Sequence, residues 1–240
     1  MNDTKGHSIL SAYDARFRRQ LGLGRYHEAL WIAEEGYHFA VETYGPDHPE
    51  TARVANNLGW IHDLLGNRVK AEYFYRRALA TKQSGYASDS LELLPTLENL
   101  SSLLVVSQRF GEALDLLQTM CQIVEEKPPQ WRIRKGVYLC RMGEIYEQTG
   151  SSETAESYYL RALSFIESDF DPQHLNLGNI MARLGRLYQS VRDFPKAEYY
   201  LLRALKLLNK KLPHRHPDVQ YLRQCLQTLY HEMQIETRLP

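Results

Sequence analysis

Alanine recurs every 42 residues in this chain, at positions 29, 71, 113, 155 and 197, with no insertion or deletion between the copies. Two adjacent positions keep the same register, with a large apolar residue followed by a small one: Leu58-Gly59, Leu100-Ser101, Met142-Gly143 and Leu184-Gly185. A period of this length is typical of a repeat array, in which each copy buries its apolar face against its neighbours. The chain is therefore predicted to contain five copies of one structural unit.

Each copy is predicted to fold as a helical hairpin. Apolar residues follow steps of three or four, as in Ala197, Leu201 and Ala204, which places them on one face of a helix. Turn residues such as Gly66 separate the two helical patterns within a copy. The third copy departs from this pattern, because Gln108 stands where a turn glycine is usual. The predicted fold class is all-α, a solenoid of stacked helical hairpins.

The register also predicts the domain organisation. A flexible N-terminal segment, residues 1–9, is expected before one repeat domain, residues 10–232, and a tail, residues 233–240, after it. The repeats are expected at 10–51, 52–93, 94–135, 136–177 and 178–219, followed by a lone capping helix at 218–232. Arg16, Phe17 and Gln20 stand where later copies have an apolar, a small and an aromatic or apolar residue. The first helix is therefore expected to be shifted or loosely packed.

The composition narrows the classes of function. The chain has 240 residues, and its 29 Lys and Arg balance its 29 Asp and Glu. This zero net charge disfavours recruitment to nucleic acid or anionic lipid by overall charge, so any electrostatic recognition must be local. No apolar run reaches the roughly 18 residues of a membrane span, and no signal peptide is recognisable. Three cysteines without paired spacing, Cys121, Cys140 and Cys225, fit a reducing compartment. The expected location is the cytoplasm.

The repeated unit resembles the tetratricopeptide repeat family, specifically the 42-residue subclass found in kinesin light chains and many bacterial proteins. The resemblance rests on NNLGWIHDLLGNRVKAEYFYRRALAT at 56–81, MGEIYEQTGSSETAESYYLRALSFIE at 142–167, LGRLYQSVRDFPKAEYYLLRALKLL at 184–208 and the linker YGPDHPETA at 44–52. By register it covers residues 10–232. It implies a right-handed superhelix of five repeats plus a C-terminal capping helix, whose first helices line a concave groove that holds a peptide or a partner helix.

Candidate binding residues follow from that implied groove. One residue per repeat is expected to face it: Asn57, Asn99, Arg141, Arg183 and Cys225. An asparagine amide suits the main chain of an extended ligand, and an arginine offers a planar fork for carboxylate or phosphate. The predicted partner-binding residues, with Trp60 as an aromatic anchor, are Arg53, Asn56, Asn57, Trp60, Asn99, Arg141, Arg183 and Arg186. Two alternatives stay open: a solvated polar face, and pairing of Arg183 with a neighbouring Glu.

Other residue patterns have structural interpretations. One register position is occupied by three histidines, His48, His174 and His216. They lie in different repeats, too far apart to bind one zinc ion, whose ligands must all lie roughly 2 Å from it. They are therefore expected to cap or pack at helix starts. Cys140 is interpreted as a small buried hydrophobe. Tyrosine stripes, such as Tyr73-Phe74-Tyr75, Tyr158-Tyr159 and Tyr199-Tyr200, are interpreted as core filling.

No phosphate-binding loop, dinucleotide-binding glycine motif, nucleophile elbow or metalloprotease helix occurs in the sequence. No enzyme activity, cofactor or metal is therefore expected. The leading hypothesis is a cytoplasmic adaptor whose groove binds an extended peptide or a helix of another protein, with acidic residues toward Arg141 and Arg186. Neither nucleic acid nor a membrane is expected as a partner. The alternative is a self-association module that forms homo-oligomers through its terminal helices.

Overall fold

The structure, a computed structural model, describes residues 3–170 and 174–236. These residues form eleven α-helices, a short 3₁₀ turn at Leu91–Leu93 and no β-strand. The helices are α1 (Asp3–Gly22), α2 (Tyr26–Tyr44), α3 (Pro49–Leu64), α4 (Arg68–Gly85), α5 (Leu94–Val106), α6 (Phe110–Glu125), α7 (Pro129–Gln148), α8 (Ser152–Asp169), α9 (Leu175–Ser190), α10 (Phe194–Lys211) and α11 (Pro217–Glu236). The predicted all-α solenoid is confirmed.

The chain divides into two compact units, Met1–Ile123 and Val124–Pro240. In the first unit α1 packs against α2, α2 against α3, α3 against α4, and α4 against α5. In the second unit α7 packs against α8, α8 against α9, α9 against α10, and α10 against α11. We call the first helix of each hairpin the A helix and the second the B helix. The last helix, α11, is an A helix that no B helix follows in the described residues.

The expected terminal segments are partly helical. The helix α1 begins at Asp3, so residues 3–9 do not form the flexible segment that the sequence predicts. Leu10 is buried against Ala40 and Val54, which fixes this helix to the following ones because it removes apolar surface from water. The helix α11 continues past residue 232 to Glu236. Residues 1–2 and 237–240 of the expected termini lie outside the described residues.

The first helix is well packed, contrary to the expectation of a loose fit. Phe17 is only 3% exposed and contacts Ala33 and Leu58 in one apolar cluster. Phe17 occupies the register of Gly59, and Ala33 occupies the register of Tyr75. In the first hairpin the large residue therefore lies on the A helix and the small residue on the B helix, the reverse of the later hairpins, and the two together fill the same space.

In the later hairpins a small A-helix residue admits a large B-helix side chain. A Cβ atom at Gly59 would lie 2.7 Å from the ring of Tyr75, and one at Gly143 would lie 2.6 Å from Tyr159. Both tyrosine side chains are almost completely buried, so neither ring could move away without leaving a cavity. At both positions the small residue that recurs in the sequence after a large one therefore makes room for a tyrosine of the B helix. All five alanines of the 42-residue register are fully buried, at positions 29, 71, 113, 155 and 197.

The turn between A and B helices always uses one left-handed residue. Gly24, Gly66 and Gly150 have φ of 69°, 78° and 77°, while Gln108 and Arg192 have φ of 59° and 63°. The positions 24, 66, 108, 150 and 192 are 42 residues apart. A left-handed residue after a helix lets the next N–H groups bond to carbonyls of its last turn; Arg109 N, for example, donates to Leu104 O at 2.9 Å.

The three histidines of the shared register cap the starts of A helices. Nδ1 of His48 accepts a hydrogen bond from Glu50 N at 3.1 Å. His174 accepts in the same way from Asn176 N at 3.2 Å, and His216 accepts from Asp218 N at 3.3 Å. Each imidazole satisfies one of the backbone donors left free at a helix start. The capping interpretation is confirmed.

The tyrosine stripes are only partly core. Tyr75 and Tyr159 are buried, whereas more than half of the Tyr73 and Tyr199 side chains is exposed. Three stacked ring pairs recur in register between an A and a B helix: His62 on Phe74, Tyr146 on Tyr158, and Tyr188 on Tyr200. Consecutive residues of a helix point in different directions, so one stripe supplies a core residue, a stacked residue and an exposed one.

Candidate functional site

The A-helix surface of the second unit contains a pocket of about 420 Å³. It is formed by side chains three or four residues apart on α7, α9 and α11, which lie on one face of each helix. The polar residues that line it are Arg141, Glu144, Asn176, Asn179, Arg183, Arg186, Asp218 and Tyr221. The structure therefore brings together three predicted binding residues, Arg141, Arg183 and Arg186.

One of the three guanidiniums is neutralised within the pocket. Arg183 Nε lies 2.7 Å from Glu144 Oε1, which confirms the alternative that Arg183 pairs with a neighbouring glutamate. Burial disfavours both charges: it raises the pKa of Glu144 and opposes the charge of Arg183. The pKa of Arg183 is nevertheless raised, because the Glu144 carboxylate, together with Cys140, Tyr159 and Glu147, more than offsets the effect of burial. We therefore treat the two side chains as an ion pair.

The other two guanidiniums have no carboxylate partner among the residues that the structure describes. Arg141 forms no hydrogen bond or ion pair with a described residue, although it also acts electrostatically on Glu144. Arg186 lies over the ring of Tyr221, 6.0 Å from its centroid. Three arginines and two acids, Glu144 and Asp218, line the pocket, which leaves one net positive charge. The pocket can accept an anionic group at Arg141 and Arg186.

In the first unit, two of the predicted binding residues, Arg53 and Asn57, are already bonded to carboxylates of this chain. Arg53 forms an ion pair with Asp14 through Nη1, and its Nε donates to Glu50 Oε2 at 2.9 Å. Asn57 Nδ2 donates to Asp14 Oδ1 at 3.2 Å. Burial opposes the charge of Arg53, and the two carboxylates more than offset it, so its pKa is raised. Arg53 and Asn57 thus hold α3 against α1.

The other predicted binding residues of the first unit differ in how much of their side chain is free to contact a partner. Asn99 Nδ2 donates to Asn56 Oδ1 at 3.2 Å, which joins α5 to α3. Trp60 is 41% exposed and meets the ring of Phe17 edge-on, with 6.1 Å between the centroids. Of these three, Trp60 offers the largest apolar surface to a partner.

Several site residues were missed by the sequence analysis. Tyr221 and Asp218 of α11 line the pocket, and they occupy the registers of Asn179 and Asn176. Asp14, which accepts from both Arg53 and Asn57, occupies the register of Asn56. All three could have been found by extending the register of the central repeats to the first and last helices.

Cys140 is a buried thiol of α7 that faces the same pocket. Burial raises the pKa of the Cys140 thiol to about 12, so it is protonated at neutral pH and is not a nucleophile. Within residues 3–170 and 174–236 there is no group of three or more His, Cys, Asp or Glu side chains placed to bind a metal ion. None of the described helices combines the length and apolar character needed to cross a bilayer.

Stacked helical hairpins with a charged pocket on their A helices define an α-solenoid repeat protein. The chain belongs to the tetratricopeptide repeat family, whose sequence model matches residues 20–84 and 136–210. The interval between the two matches contains the third repeat, where Gln108 and Met120 depart from the repeat pattern. Proteins with this fold generally mediate protein–protein interaction and act as non-enzymatic scaffolds. Comparison with curated protein sequences finds no match.

Solved structures share the fold at low sequence identity. A Podosopora anserina protein, whose nearly identical TPR-like repeats are ascribed to a kinesin light chain, has 16% identity and a TM-score of 0.72, over 86% of this chain and 98% of that one. BtubC (BKLC) from P. vanneervenii has 18% identity and a TM-score of 0.73, over 90% and 87%. The quorum sensor NprR from B. thuringiensis has 15% identity and a TM-score of 0.69, over 90% and 58%.

Proposed function

We propose that this protein is a non-enzymatic adaptor that binds a segment of a partner protein on its A-helix surfaces. The observation that carries the proposal is the pocket of the second unit, where Arg141 and Arg186 have no carboxylate partner among the described residues. Arg141 is partly buried and Arg186 is exposed. A partly buried guanidinium such as that of Arg141 is costly without a counterion, and an acidic side chain or terminal carboxylate of a ligand would supply one. The partner segment is therefore acidic where it meets the second unit.

The pocket also favours a protein ligand because it combines charge with apolar surface. Val137, Leu208 and Leu222 line it together with the arginines, and Tyr221 presents a partly exposed ring beside Arg186. Asn176 and Asn179 add amide groups that can pair with a main chain. Mixed linings of this kind orient a ligand through a few polar contacts while apolar contacts contribute affinity.

The role proposed for the first unit is different. Arg53 and Asn57 already bond to Asp14, so they contribute less to an acidic ligand than the sequence predicts. Trp60 is half exposed and remains the candidate anchor on this unit. We therefore assign charge recognition to the second unit and apolar contact to the first.

The test is fluorescence anisotropy with a labelled glutamate-rich peptide and a glutamine-matched control peptide. Replacing Arg141 or Arg186 by Gln is expected to weaken binding of the acidic peptide by about 1.5 kcal/mol, or roughly tenfold, because each removes a charge-assisted hydrogen bond. Arg161→Gln is the matched control, because Arg161 is an exposed arginine of α8 stacked on Tyr158 outside this pocket. Equal losses in all three variants would show general charge attraction and contradict the proposal.

The same samples test the alternative of self-association. Sedimentation equilibrium over a wide concentration range measures whether the mass rises with concentration. A rise in mass without any binding of the acidic peptide would favour the homo-oligomer over the adaptor.

A further inference from the structure

The first unit exposes large apolar side chains at the tips of its hairpin turns. Their exposed fractions range from 41% for Tyr26 to 85% for Val69. They lie in or next to the turns between α1 and α2, α3 and α4, and α5 and α6. We call them the apolar turn edge: Leu23, Tyr26, Leu64, Val69 and Val106. Clustered exposed apolar residues of this size mark interaction surfaces.

The three turns lie next to each other within the first unit. Leu21, at the end of α1, and Leu65, at the end of α3, pack on the same apolar cluster. Arg109, in the third turn, forms an ion pair with Glu72 near the start of α4, with 2.6 Å between Nη1 and Oε1. The exposed tips of the three turns therefore form one continuous edge.

This edge carries surplus positive charge. Arg25, Arg68 and Lys70 are exposed, and none of them forms an ion pair with a described residue. Glu28 is the exposed acid beside them, and Asp63 is partly buried and influenced by Arg68. The other two acids of this edge, Glu72 and Glu112, are both paired with Arg76 and Arg109.

The same turns of the second unit expose fewer apolar side chains. The turn between α7 and α8 reads Thr149-Gly150-Ser151-Ser152-Glu153, which is polar throughout. The turn between α9 and α10 exposes Val191 and Arg192, and its acid, Asp193, is paired with Lys196. The clustering of several apolar tips is therefore a property of the first unit and not a requirement of the turn, whereas a basic residue at a turn tip occurs in both units.

We propose that the apolar turn edge binds the surface of an anionic lipid bilayer. Apolar and aromatic side chains at projecting tips can enter the interfacial region of a bilayer, while Arg and Lys beside them meet anionic headgroups. Projecting tips suit a deformable surface better than a rigid partner, which would need matching cavities. Arg25, Arg68 and Lys70 supply the charge complementarity, and Val69 is the most exposed apolar tip.

This proposal departs from the expectation, drawn from the zero net charge, that no membrane is a partner. Net charge sums over the whole surface, whereas attraction to a bilayer depends on charges within about 10 Å of it at ordinary salt. A neutral chain can therefore present a basic edge. The proposal concerns a surface contact and does not depend on ligand binding in the second unit.

The test is cosedimentation of the full chain with vesicles of phosphatidylcholine alone and of phosphatidylcholine with phosphatidylserine. The wild type is expected to bind the anionic vesicles, and to bind them more weakly at high salt. The double variant Leu23→Ser/Val69→Ser is expected to lower the partition coefficient roughly tenfold. Arg68→Gln/Lys70→Gln is expected to lower it about fivefold per charge removed. Val191→Ser, an exposed valine in a turn of the second unit, is the matched control.

Circular dichroism checks that the exposed substitutions leave the helices intact. Loss of vesicle binding in both double variants, but not in Val191→Ser, would support the proposal. Absence of wild-type binding to anionic vesicles, or equal binding by all variants, would overturn it. The wild type could also fail to bind vesicles and form oligomers, with Leu23→Ser/Val69→Ser remaining monomeric. This result would show that the edge is a protein interface and would overturn the proposal.

Discussion

The left-handed turn positions allow a sharp test of how the hairpins close. Gln108 has φ of 59° in a turn position that is glycine in three of the other four hairpins. For a residue with a Cβ atom, this left-handed conformation destabilises the folded state by roughly 1–2 kcal/mol. Glycine removes that cost, but it also gains roughly 0.4–1 kcal/mol of freedom in the unfolded chain. We therefore expect Gln108→Gly to stabilise the protein by about 0.5–1 kcal/mol.

The reciprocal change is Gly66→Ala. A Cβ at Gly66 would meet no atom within 4 Å, so its cost comes from the backbone conformation alone and is expected to be of similar size. For a chain of this length, about 1 kcal/mol corresponds to a change in Tm of roughly 2–4 °C. Thermal and urea unfolding, followed by circular dichroism, measure both variants.

The control for Gln108→Gly is the neighbouring substitution Ser107→Gly. Ser107 has φ of −87°, which costs a serine nothing, so glycine there is expected only to destabilise. The backbone bond from Gln108 N to Val105 O, at 3.0 Å, is available in both variants. If Gln108→Gly and Ser107→Gly shifted Tm in the same direction, the argument from backbone conformation would be refuted.

Three further substitutions test the packing, the caps and the buried histidine. Gly143→Ala is expected to destabilise by about 1–3 kcal/mol in urea unfolding, because the new Cβ would overlap the buried ring of Tyr159; a change below the error of the fit would contradict this. His48→Ala is expected to cost about 0.5–2 kcal/mol through loss of the cap, whereas His48→Ser should retain most of it; equal unfolding midpoints would exclude a capping role. Burial, and then Lys70, lower the pKa of His62, so the unfolded chain binds a proton first as the pH falls below about 6.5. The stability that the neutral ring provides should therefore be lost as the pH falls from there toward the folded pKa, and urea titrations at several pH values should show a smaller decline for His62→Phe.

The sequence register was sufficient to predict the hairpins, their small A-helix positions and the starts of their A helices. A period of 42 residues identifies Gly59, Gly143 and Gly185 as small positions and His48, His174 and His216 as helix starts. These inferences succeed because every repeat must satisfy the same backbone and packing requirements. Helix α1 was harder to predict, because Phe17 and Ala33 exchange the sizes seen at Gly59 and Tyr75, and single-position comparison does not reveal a compensated pair.

Which arginines of the site are free could not be predicted from the sequence. Arg53 and Arg183 are paired with carboxylates, and Arg141 has no such partner among the residues that the structure describes. Charge pairing depends on side-chain directions across neighbouring helices, and these are set by packing and not by the repeat period. The uneven exposure of Tyr73 and Tyr75 has the same origin.

The even spacing of the left-handed turns also bears on how such a chain can be lengthened, shortened or redesigned. Because residues 24, 66, 108, 150 and 192 are equivalent, the segment 52–93 is a cassette, and joining residue 51 directly to residue 94 would bring Leu100 into the register of Leu58. The buried alanine would be replaced by an equivalent one, while Trp60 and Arg53 would leave with the cassette. Core and surface are thus encoded at separate positions of one module, so that a binding surface can be exchanged while the packing rules stay the same.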